Sequence, residues 1–411
     1  MPRSAGLVLI GVFLVTRVVG AWLALEPQHY STDIAHELVI YQDKAVPILT
    51  GGGEPYGSVP LEYPPGALPL ILAPEALPDP VSYATGFVSI QLLLDVLGFI
   101  GLWRLSARWG SASGPWLWVA LVPSLGPLVY LRLDMLPAVA TIWTVERAAA
   151  GRWFTSGASL SAGVLTKIYP VFFIPVALWS ASRKSRVLFC FGALWLVVPL
   201  IGFGDSLDDV ARSVLGYHAH RSVQIESSWA TPLLIAMRNG YESTITLNFG
   251  AFHIVDGITP TLKTAANITS ALVALGTTAI AIRRVRTGQI QEAAEGMFMI
   301  LVATMAVGLV FSPQFIIWLF ALGAAVLCAR NAGLRAPLFA LVPIALLTQA
   351  VYPFLYDRLL QLDPVAIFTL ATRNLLVIAL AVVVTWRLAS RHASVEAGGR
   401  VGHAQSIAGE L

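Results

Sequence analysis

Long apolar runs separated by short polar stretches recur along nearly the whole chain. A helix that crosses the hydrocarbon core of a bilayer needs about 20 predominantly apolar residues, and several of the runs reach that length. The pattern predicts an all-α fold, a polytopic transmembrane helical bundle of about 11 to 12 membrane segments with outer-face loops and short interfacial helices. The predicted segments fall at about 5–25, 82–103, 114–131, 135–150, 154–166, 168–181, 187–203, 259–282, 293–311, 314–329, 336–352 and 364–388.

Composition indicates the same class of protein. Of the 411 residues, 56% are hydrophobic and 12% are charged, whereas soluble domains carry roughly a quarter charged residues. The net charge of +3 is too small to indicate a nucleic-acid partner. Cys190 and Cys328 both lie in apolar runs and indicate neither a disulfide framework nor a metal motif. We expect one integral membrane domain over 1–390 and a short, disordered cytoplasmic tail over 391–411.

The distribution of basic residues predicts how the chain is oriented. Arg17 interrupts the first apolar run and no small-residue cleavage site follows, so we interpret this run as a retained helix rather than a signal peptide. With a cytoplasmic N-terminus, the short cytoplasmic connections collect Arg3, Arg104, Arg108, Arg147, Arg152, RKSR (183–186), RRVR (283–286), Arg330, Arg335, Arg387 and Arg391. This positive-inside pattern predicts a multi-pass protein of the bacterial cytoplasmic membrane with both termini cytoplasmic. Most acidic residues then fall in the outer loops, which places any chemistry on the outer face.

The segment 154–181 tests this orientation, because a single long helix there would invert every later connection. The sequence TKIYP (166–170) favours a break instead, since proline and the residue before it both disfavour a continuous helix. We therefore expect two shorter helices that form a hairpin. Irregular backbone at membrane depth is tolerated only when it is buried in protein or lines a cavity, so Lys167 should face a cavity.

The first outer loop carries the first candidate for catalysis. Its residues 34–49 form an imperfect amphipathic helix, capped by Ser31, Thr32 or Asp33 and ended by Gly51 to Gly53. Asp33 is therefore either a helix cap or a general base that takes a proton from a hydroxyl. The following LEYPPGALPL (61–70) begins a segment of about 12 residues, which is too short to cross a bilayer and suits an interfacial or re-entrant element.

A second polar cluster, GYHAHRSVQIESSWATPL, occupies residues 216–233. One interpretation is a solvated loop. The other is a binding site in which His218 and Arg221 bind an anionic group while Glu226 holds a hydroxyl, since arginine suits phosphate recognition. Charged residues near other helix ends either extend to the membrane surface or, inside a bundle, are functional candidates.

These segments, taken in order, resemble the family-87 glycosyltransferases of the GT-C class, bacterial membrane enzymes best known from actinobacteria. The resemblance covers roughly residues 30 to 380 and rests on Asp33, GGGEPYGSVPLEYPPGALPL (51–70), RLDMLPA (132–138), LTKIYPVFFIP (165–175), RSVQIESSWA (221–230) and SPQFIIWL (312–319). It implies transfer of a sugar, usually the hexose mannose and in some members arabinofuranose, from a polyprenyl-phosphate sugar. The implied acceptor is a lipid-linked or cell-envelope glycan outside the cytoplasmic membrane.

The resemblance also implies residue roles. An inverting mechanism uses a carboxylate of the first outer loop as base, which maps onto Asp33, with Glu37 as the reserve. For the donor phosphate we expect Lys167, Arg221, His218 and Arg132. For the sugar or the acceptor we expect Tyr41, Tyr56, Glu62, Tyr63, Asp134, Gln224, Glu226 and Gln314. No metal or other cofactor is indicated, and helices between about 259 and 330 are expected to form a groove for the prenyl chain.

A transporter or lipid flippase is the main alternative, because such proteins also need charges and broken helices inside the membrane. The sequence contains no clear repeat of two halves, and its large polar loops lie on one face only. Both observations favour the enzyme. Its expected partners are a membrane lipid donor and a glycolipid or cell-wall glycan acceptor, and the sequence predicts no oligomeric state.

Overall fold

The structure is a computed structural model that describes residues 3–26, 34–201 and 207–408, and 75% of the chain is helical. Within the described residues, the α-helices are α1 (Arg3–Leu25), α2 (His36–Leu49), α3 (Leu68–Leu72), α4 (Tyr83–Trp109), α5 (Ser113–Leu121), α6 (Met135–Ala149), α7 (Trp153–Thr166), α8 (Ile174–Ser180), α9 (Arg183–Ile201), α10 (Leu207–His220), α11 (Ala230–Arg238), α12 (Thr259–Arg284), α13 (Ile290–Val307), α14 (Ile316–Leu327), α15 (Arg335–Leu338), α16 (Leu341–Gln349), α17 (Tyr356–Leu360) and α18 (Pro364–Ala408). Short 3₁₀-helical turns lie at Pro65–Ala67, Val122–Tyr130, Tyr169–Phe173 and Pro313–Phe315, and a π-helical turn lies at Ala350–Phe354.

Six helical stretches of the described residues are long and apolar enough to cross a membrane. They are Ser4–Leu25, Tyr83–Trp109, Thr259–Arg284, Ile290–Val307, Arg335–Phe354 and Pro364–Ser390. Many of their large apolar side chains face outward, which is the arrangement that a lipid environment favours. The predicted class, a polytopic all-α membrane protein, is confirmed. The division into a domain over 1–390 and a tail over 391–411 stays a prediction.

The other predicted segments form helices that are mostly too short to span a bilayer alone. Helices α5 to α8 and α14 have only 7 to 15 residues, where a full crossing needs about 20. Prolines explain several of the interruptions, because proline lacks the N–H that continues a helix. Pro127 follows Gly126, whose φ is +59°, after α5, and Pro170 and Pro313 stand in the turns before α8 and α14. The bundle therefore combines six long helices with half-length ones.

The hairpin expected around Lys167 is present. Lys167 has an extended backbone (φ −147°, ψ 137°) at the end of α7, and a tight turn leads into α8. Ala177 and Ser180 of α8 then lie beside Trp153 and Ser156, at the start of α7, around one small cavity. The chain thus reverses direction at Lys167, as the sequence predicts.

Charged side chains mark one end of the bundle, which we call the basic end. There Arg104 pairs with Glu146, Arg284 pairs with Glu295, and Arg335 donates to Ser113. The opposite end of α6 carries Asp134, close to Lys167; we call this the cavity end. The loops that are predicted to be cytoplasmic and those that are predicted to be outer therefore lie at opposite ends of the bundle. The side of the membrane that each end faces stays a prediction.

Arg17, which interrupts the first apolar run, is buried in α1 against α4. Its guanidinium donates to both Asp95 oxygens at 2.8 and 3.3 Å and to the carbonyls of Trp118 and Val119. Asp95 also accepts from Trp118 Nε1 (2.7 Å) and from the Tyr130 hydroxyl (2.8 Å). A buried charge is tolerated when it is paired and hydrogen-bonded, so this network explains the arginine in the first membrane helix.

A three-stranded antiparallel sheet, which the sequence analysis did not predict, lies at the cavity end. It consists of β1 (Val223–Gln224), β2 (Thr244–Asn248) and β3 (Ala251–Val255) in the order β1-β3-β2. Phe249 and Gly250 form the tip between β2 and β3, with φ of +51° and +64°. Positive φ at both central residues is the signature of a tight hairpin turn.

Candidate active site

Two polar cavities lie side by side at the cavity end. The first has a volume of about 250 Å³ and the second of about 360 Å³. The predicted residues that line the first cavity are Glu37, Glu62, Tyr63, Lys167, Arg221 and Gln314. Those that line the second are Glu37, Arg132, Gln224, Glu226 and Gln314. Residues that are separated by up to 277 positions in the chain are thus brought to one place.

Glu37 lies at the junction of these cavities and belongs to the lining of both, together with Gly250, Ser312 and Gln314. It sits in the first turn of α2, whose predicted position after the first membrane helix is confirmed. Arg132 holds this turn in place, since its guanidinium donates to the Ile34 carbonyl at 3.1 Å and lies 4.0 Å from Glu37 Oε1. A carboxylate that faces two cavities is placed to act on a molecule in each.

Lys167 faces the first cavity, as expected, but it is paired. Both Asp134 oxygens lie 2.8 Å from its Nζ atom. Asp134 itself is buried behind Lys167 and lines neither cavity. The positive charge of Lys167 is therefore balanced by a charge-assisted pair inside the protein.

Arg221 is the unbalanced cation of the first cavity. Its side chain is buried, it forms no ion pair within the described residues, and its Nε atom has no hydrogen-bond partner there. Burial and the charge of Arg221 lower the pKa of the neighbouring His253 to about 4, so this histidine is neutral near pH 7. A buried cation without an acidic partner is costly unless an anion binds to it, which makes Arg221 the strongest anion-binding candidate.

Glu226 lies at the floor of the second cavity in a dense polar cluster. Its backbone carbonyl accepts from Arg373 at 2.8 Å, and its Oε2 atom lies 3.7 Å from the Arg373 guanidinium. Burial raises the pKa of the Glu226 carboxyl to about 7, although Arg373 and the hydrogen bond from Gln224 oppose this shift. Gln224 is fixed in turn by the backbone N–H of Phe311. The solvated-loop interpretation of residues 216–233 is wrong, because Arg221, Gln224 and Glu226 are all buried.

Tyr41 and Tyr56 line neither of these two cavities, so their contact with the sugar or the acceptor stays a prediction. Both are buried behind Tyr63. The hydroxyl of Tyr41 lies 3.3 Å from that of Tyr63, and the Tyr56 hydroxyl donates to the Tyr63 carbonyl at 2.8 Å. They fix the position of Tyr63, which does line the first cavity. Glu62 lines it too, beside its partner Lys44.

Two of the predicted residues cannot be placed in this arrangement. Asp33 lies outside the described residues, and the side chain of His218 lies outside them as well. Both stay predictions.

The sequence analysis missed several aromatic residues of the first cavity. Tyr169, Trp318 and Phe315 stack in a row, with ring centroids 3.9 Å and 4.2 Å apart. Phe249, at the hairpin tip, contacts Tyr217, whose hydroxyl donates to its carbonyl. The alternating residues of TITLNFGAFHIV (244–255) were a usable signal for the hairpin. The aromatic row gave no such signal, because it joins two segments about 150 positions apart.

An apolar groove of about 700 Å³ lies between α12, α13 and α18. Gly276, Ala303 and Trp386 are among the residues that line it, so it lies partly within the predicted region of about 259 to 330. Its lining includes Val307, whose carbonyl accepts from Trp229 Nε1 at 2.8 Å. Val310 already lines the first cavity. Three residues of extended chain span at most about 11 Å, so the groove ends close to the polar cavities.

Comparison with known proteins gives one result that bears on the family. No protein in a search of curated sequences matches the chain. The sequence model of glycosyltransferase family 87 matches residues 61–313, which is more than half of the chain. The match includes Lys167 and Glu226, and it begins after Glu37. The chain belongs to glycosyltransferase family 87, and the two cavities therefore lie in a membrane glycosyltransferase.

Proposed function

We propose that this protein transfers a hexose, mannose rather than the pentose arabinofuranose, from a polyprenyl-phosphate sugar to a lipid-linked or cell-envelope glycan. The observation that carries the proposal is the position of Glu37 between two polar cavities. A transferase must hold a donor and an acceptor at once, with a base between them. One cavity suits each substrate.

The first cavity suits the donor phosphate. Arg221 supplies a buried cation that lacks an acidic partner among the described residues. A polyprenyl phosphate leaves as a stabilised anion, so the enzyme needs a cation at the phosphate rather than an acid. Because Arg221 supplies this positive charge, the proposed reaction does not require a resident metal ion.

The apolar groove suits the polyprenyl chain of the donor. It is lined almost wholly by apolar side chains of α12, α13 and α18, and it ends near Val307, three positions before Val310 of the first cavity. A lipid chain in the groove would therefore place its phosphate within reach of Arg221. Each buried CH₂ contributes roughly 0.8 kcal/mol to such binding.

The second cavity suits the acceptor. Glu226 has a buried Oε2 atom without a hydrogen-bond partner among the described residues, and it lines this cavity with Gln224. A carboxylate and an amide at one wall are suitable partners for a sugar hydroxyl. Glu226 would hold the acceptor while another carboxylate takes the proton.

The acceptor oxygen attacks the anomeric carbon, the bond from that carbon to the phosphate oxygen breaks, and polyprenyl phosphate leaves with the bonding electrons. The acceptor proton passes to a carboxylate of the first loop, and the configuration inverts. Glu37 is the described carboxylate at the junction, and Asp33, four positions earlier in the sequence, is the other candidate.

We place this reaction on the outer face of the cytoplasmic membrane. Arginines at the basic end support the assignment, since cytoplasmic loops collect Arg and Lys. An actinobacterial cell envelope is the setting that the family resemblance favours.

The test is transfer of radiolabel by the purified protein in lipid vesicles. Polyprenyl-phosphomannose labelled in the sugar serves as donor and a membrane lipid extract of the source cells as acceptor. We expect label in a new glycan, with release of an equal amount of polyprenyl phosphate. If the labelled lipid crosses the bilayer intact and no glycosidic bond forms, the protein is a carrier instead.

A further inference from the structure

The ammonium group of Lys167 is enclosed by one carboxylate and three aromatic rings. Nζ donates two hydrogen bonds to the Asp134 carboxylate, one to each oxygen at 2.8 Å. The ring centroids of Phe315, Tyr63 and Trp318 lie 5.1, 5.4 and 5.5 Å from Nζ, which is cation–π distance. An ammonium has three N–H donors, so one remains for a ligand.

This corner of the first cavity is unsuited to an anion. The charge of Lys167 is balanced by Asp134, and an added phosphate would meet the Asp134 carboxylate next to it. Arg221, in the same cavity, has no such partner within the described residues. The two cations therefore favour different parts of one ligand, with the charged part at Arg221 and an uncharged polar part at Lys167.

The wall beside Lys167 is a rigid aromatic surface. Phe315 and Tyr169 stack on either side of Trp318, with interplanar angles of 17° and 12°. Rings that are locked in this way lose no freedom when a ligand packs against them. Phe315 is only partly buried and lines the cavity, so part of the aromatic surface is accessible.

The size of the cavity limits the ligand. Its volume of about 250 Å³ is slightly below the roughly 300 Å³ at which small-molecule sites begin. A single sugar ring fits these features, because it has one apolar C–H face for an aromatic ring and hydroxyls at its edge for an N–H donor. A longer glycan would not fit.

We propose that Lys167, Asp134 and Phe315 form the subsite of the transferred sugar, an inference that rests on the proposed function. The C–H face of the sugar packs on Phe315, and Lys167 donates its remaining N–H to a ring hydroxyl. Asp134 is a positioning residue that fixes Lys167. The subsite distinguishes a glycosylated polyprenyl phosphate from the bare lipid.

The test is equilibrium binding of three lipids to the full chain in lipid nanodiscs: polyprenyl phosphate, polyprenyl-phosphomannose and polyprenyl-phosphoarabinose. Two variants address the subsite. Phe315→Leu removes the ring, and the double variant Lys167→Met with Asp134→Leu removes both charges without leaving an unpaired buried carboxylate. Arg221→Met addresses the phosphate separately.

The wild type is expected to bind one of the sugar lipids about tenfold more tightly than polyprenyl phosphate, a difference of about 1.4 kcal/mol. Both subsite variants should lose this preference and bind the bare lipid normally, whereas Arg221→Met should weaken all three lipids. A preference that survives both subsite variants overturns the subsite, and so does equal binding of all three lipids by the wild type. If the wild type binds none of the lipids, the proposed function itself fails.

Discussion

Both carboxylate oxygens of Asp134 lie 2.8 Å from the Nζ atom of Lys167, although the residues are 33 positions apart, Asp134 at the start of α6 and Lys167 at the end of α7. Because of this pair, the two cations of the first cavity differ in whether an acidic side chain balances their charge. Lys167 is balanced from within the protein, while Arg221 has no acidic partner among the described residues. The phosphate of a donor lipid is therefore expected at Arg221.

Arg221→Met should lower the use of a polyprenyl-phosphate donor. A charge-assisted contact contributes roughly 1.5 to 3 kcal/mol, so kcat/KM should fall about ten- to a hundredfold. Arg212→Met is the matched control, since Arg212 is an exposed arginine of α10 that pairs only with Asp209 within the described residues. Equal kinetics for the two variants would remove Arg221 from the donor site.

Gly276→Leu should obstruct the apolar groove. A Cβ atom at Gly276 meets no atom within 4 Å, so the larger side chain extends into the groove without disturbing the fold. We expect KM to rise several-fold for a long-chain donor and little for a donor with a short prenyl chain. Gly11→Leu on α1, which also meets nothing within 4 Å, is the control. A similar effect from both variants would place the lipid elsewhere.

Glu226 should give the reaction a pH dependence. Because burial raises its pKa to about 7, the carboxylate that accepts a hydrogen bond from the acceptor hydroxyl forms as pH rises from 6 to 8, and transfer should increase over that range. Glu226→Gln should remove this increase of transfer with pH.

Thermal unfolding gives an independent check, because the stability of the fold should change with pH in the opposite direction to the transfer rate. A raised carboxyl pKa stabilises the fold at low pH, and this stabilisation is lost as pH rises through about 7. A wild type that is more stable at pH 8 than at pH 6 would contradict the assignment.

Asp95→Ala should destabilise the bundle strongly. It leaves the Arg17 guanidinium buried without its counter-ion, and removing one partner of a buried pair costs about 3 to 5 kcal/mol in the free energy of unfolding. The double variant Arg17→Met with Asp95→Leu should be less destabilised than Asp95→Ala, because no charge is left unpaired. Denaturant unfolding in mixed micelles measures both. A loss below about 1 kcal/mol for Asp95→Ala would mean that water reaches Arg17.

Periodicity and charge were sufficient to predict the bundle, because a membrane imposes long apolar helices and places arginine at their cytoplasmic ends. The break at Lys167 was predictable for a local reason, the proline three positions later. The shortness of α5 was not predicted, since α5 and the turns at Val122–Tyr130 form one continuous apolar run in the sequence.

Some residues of the candidate site were also predictable from the sequence, and others were not. Lys167, Arg221 and Glu226 were predictable as charged residues at the ends of apolar segments. The roles of Tyr41 and Tyr56 were not, because a tyrosine behind a cavity and one inside it have the same sequence pattern. The pairing of Asp134 with Lys167 and the row of Tyr169, Trp318 and Phe315 depend on how separate helices pack, which no local pattern encodes.

The first-loop carboxylate between the two cavities is the central element of the proposed reaction, and the transfer rates of Glu37→Gln and Asp33→Asn test its role. Each substitution keeps the size of the side chain and removes its basicity. We predict that Glu37→Gln lowers the rate of sugar transfer about a hundredfold or more, with unchanged donor binding and thermal unfolding. Loss of activity in Asp33→Asn alone would assign the role to Asp33 instead. Full activity in both variants would contradict the account.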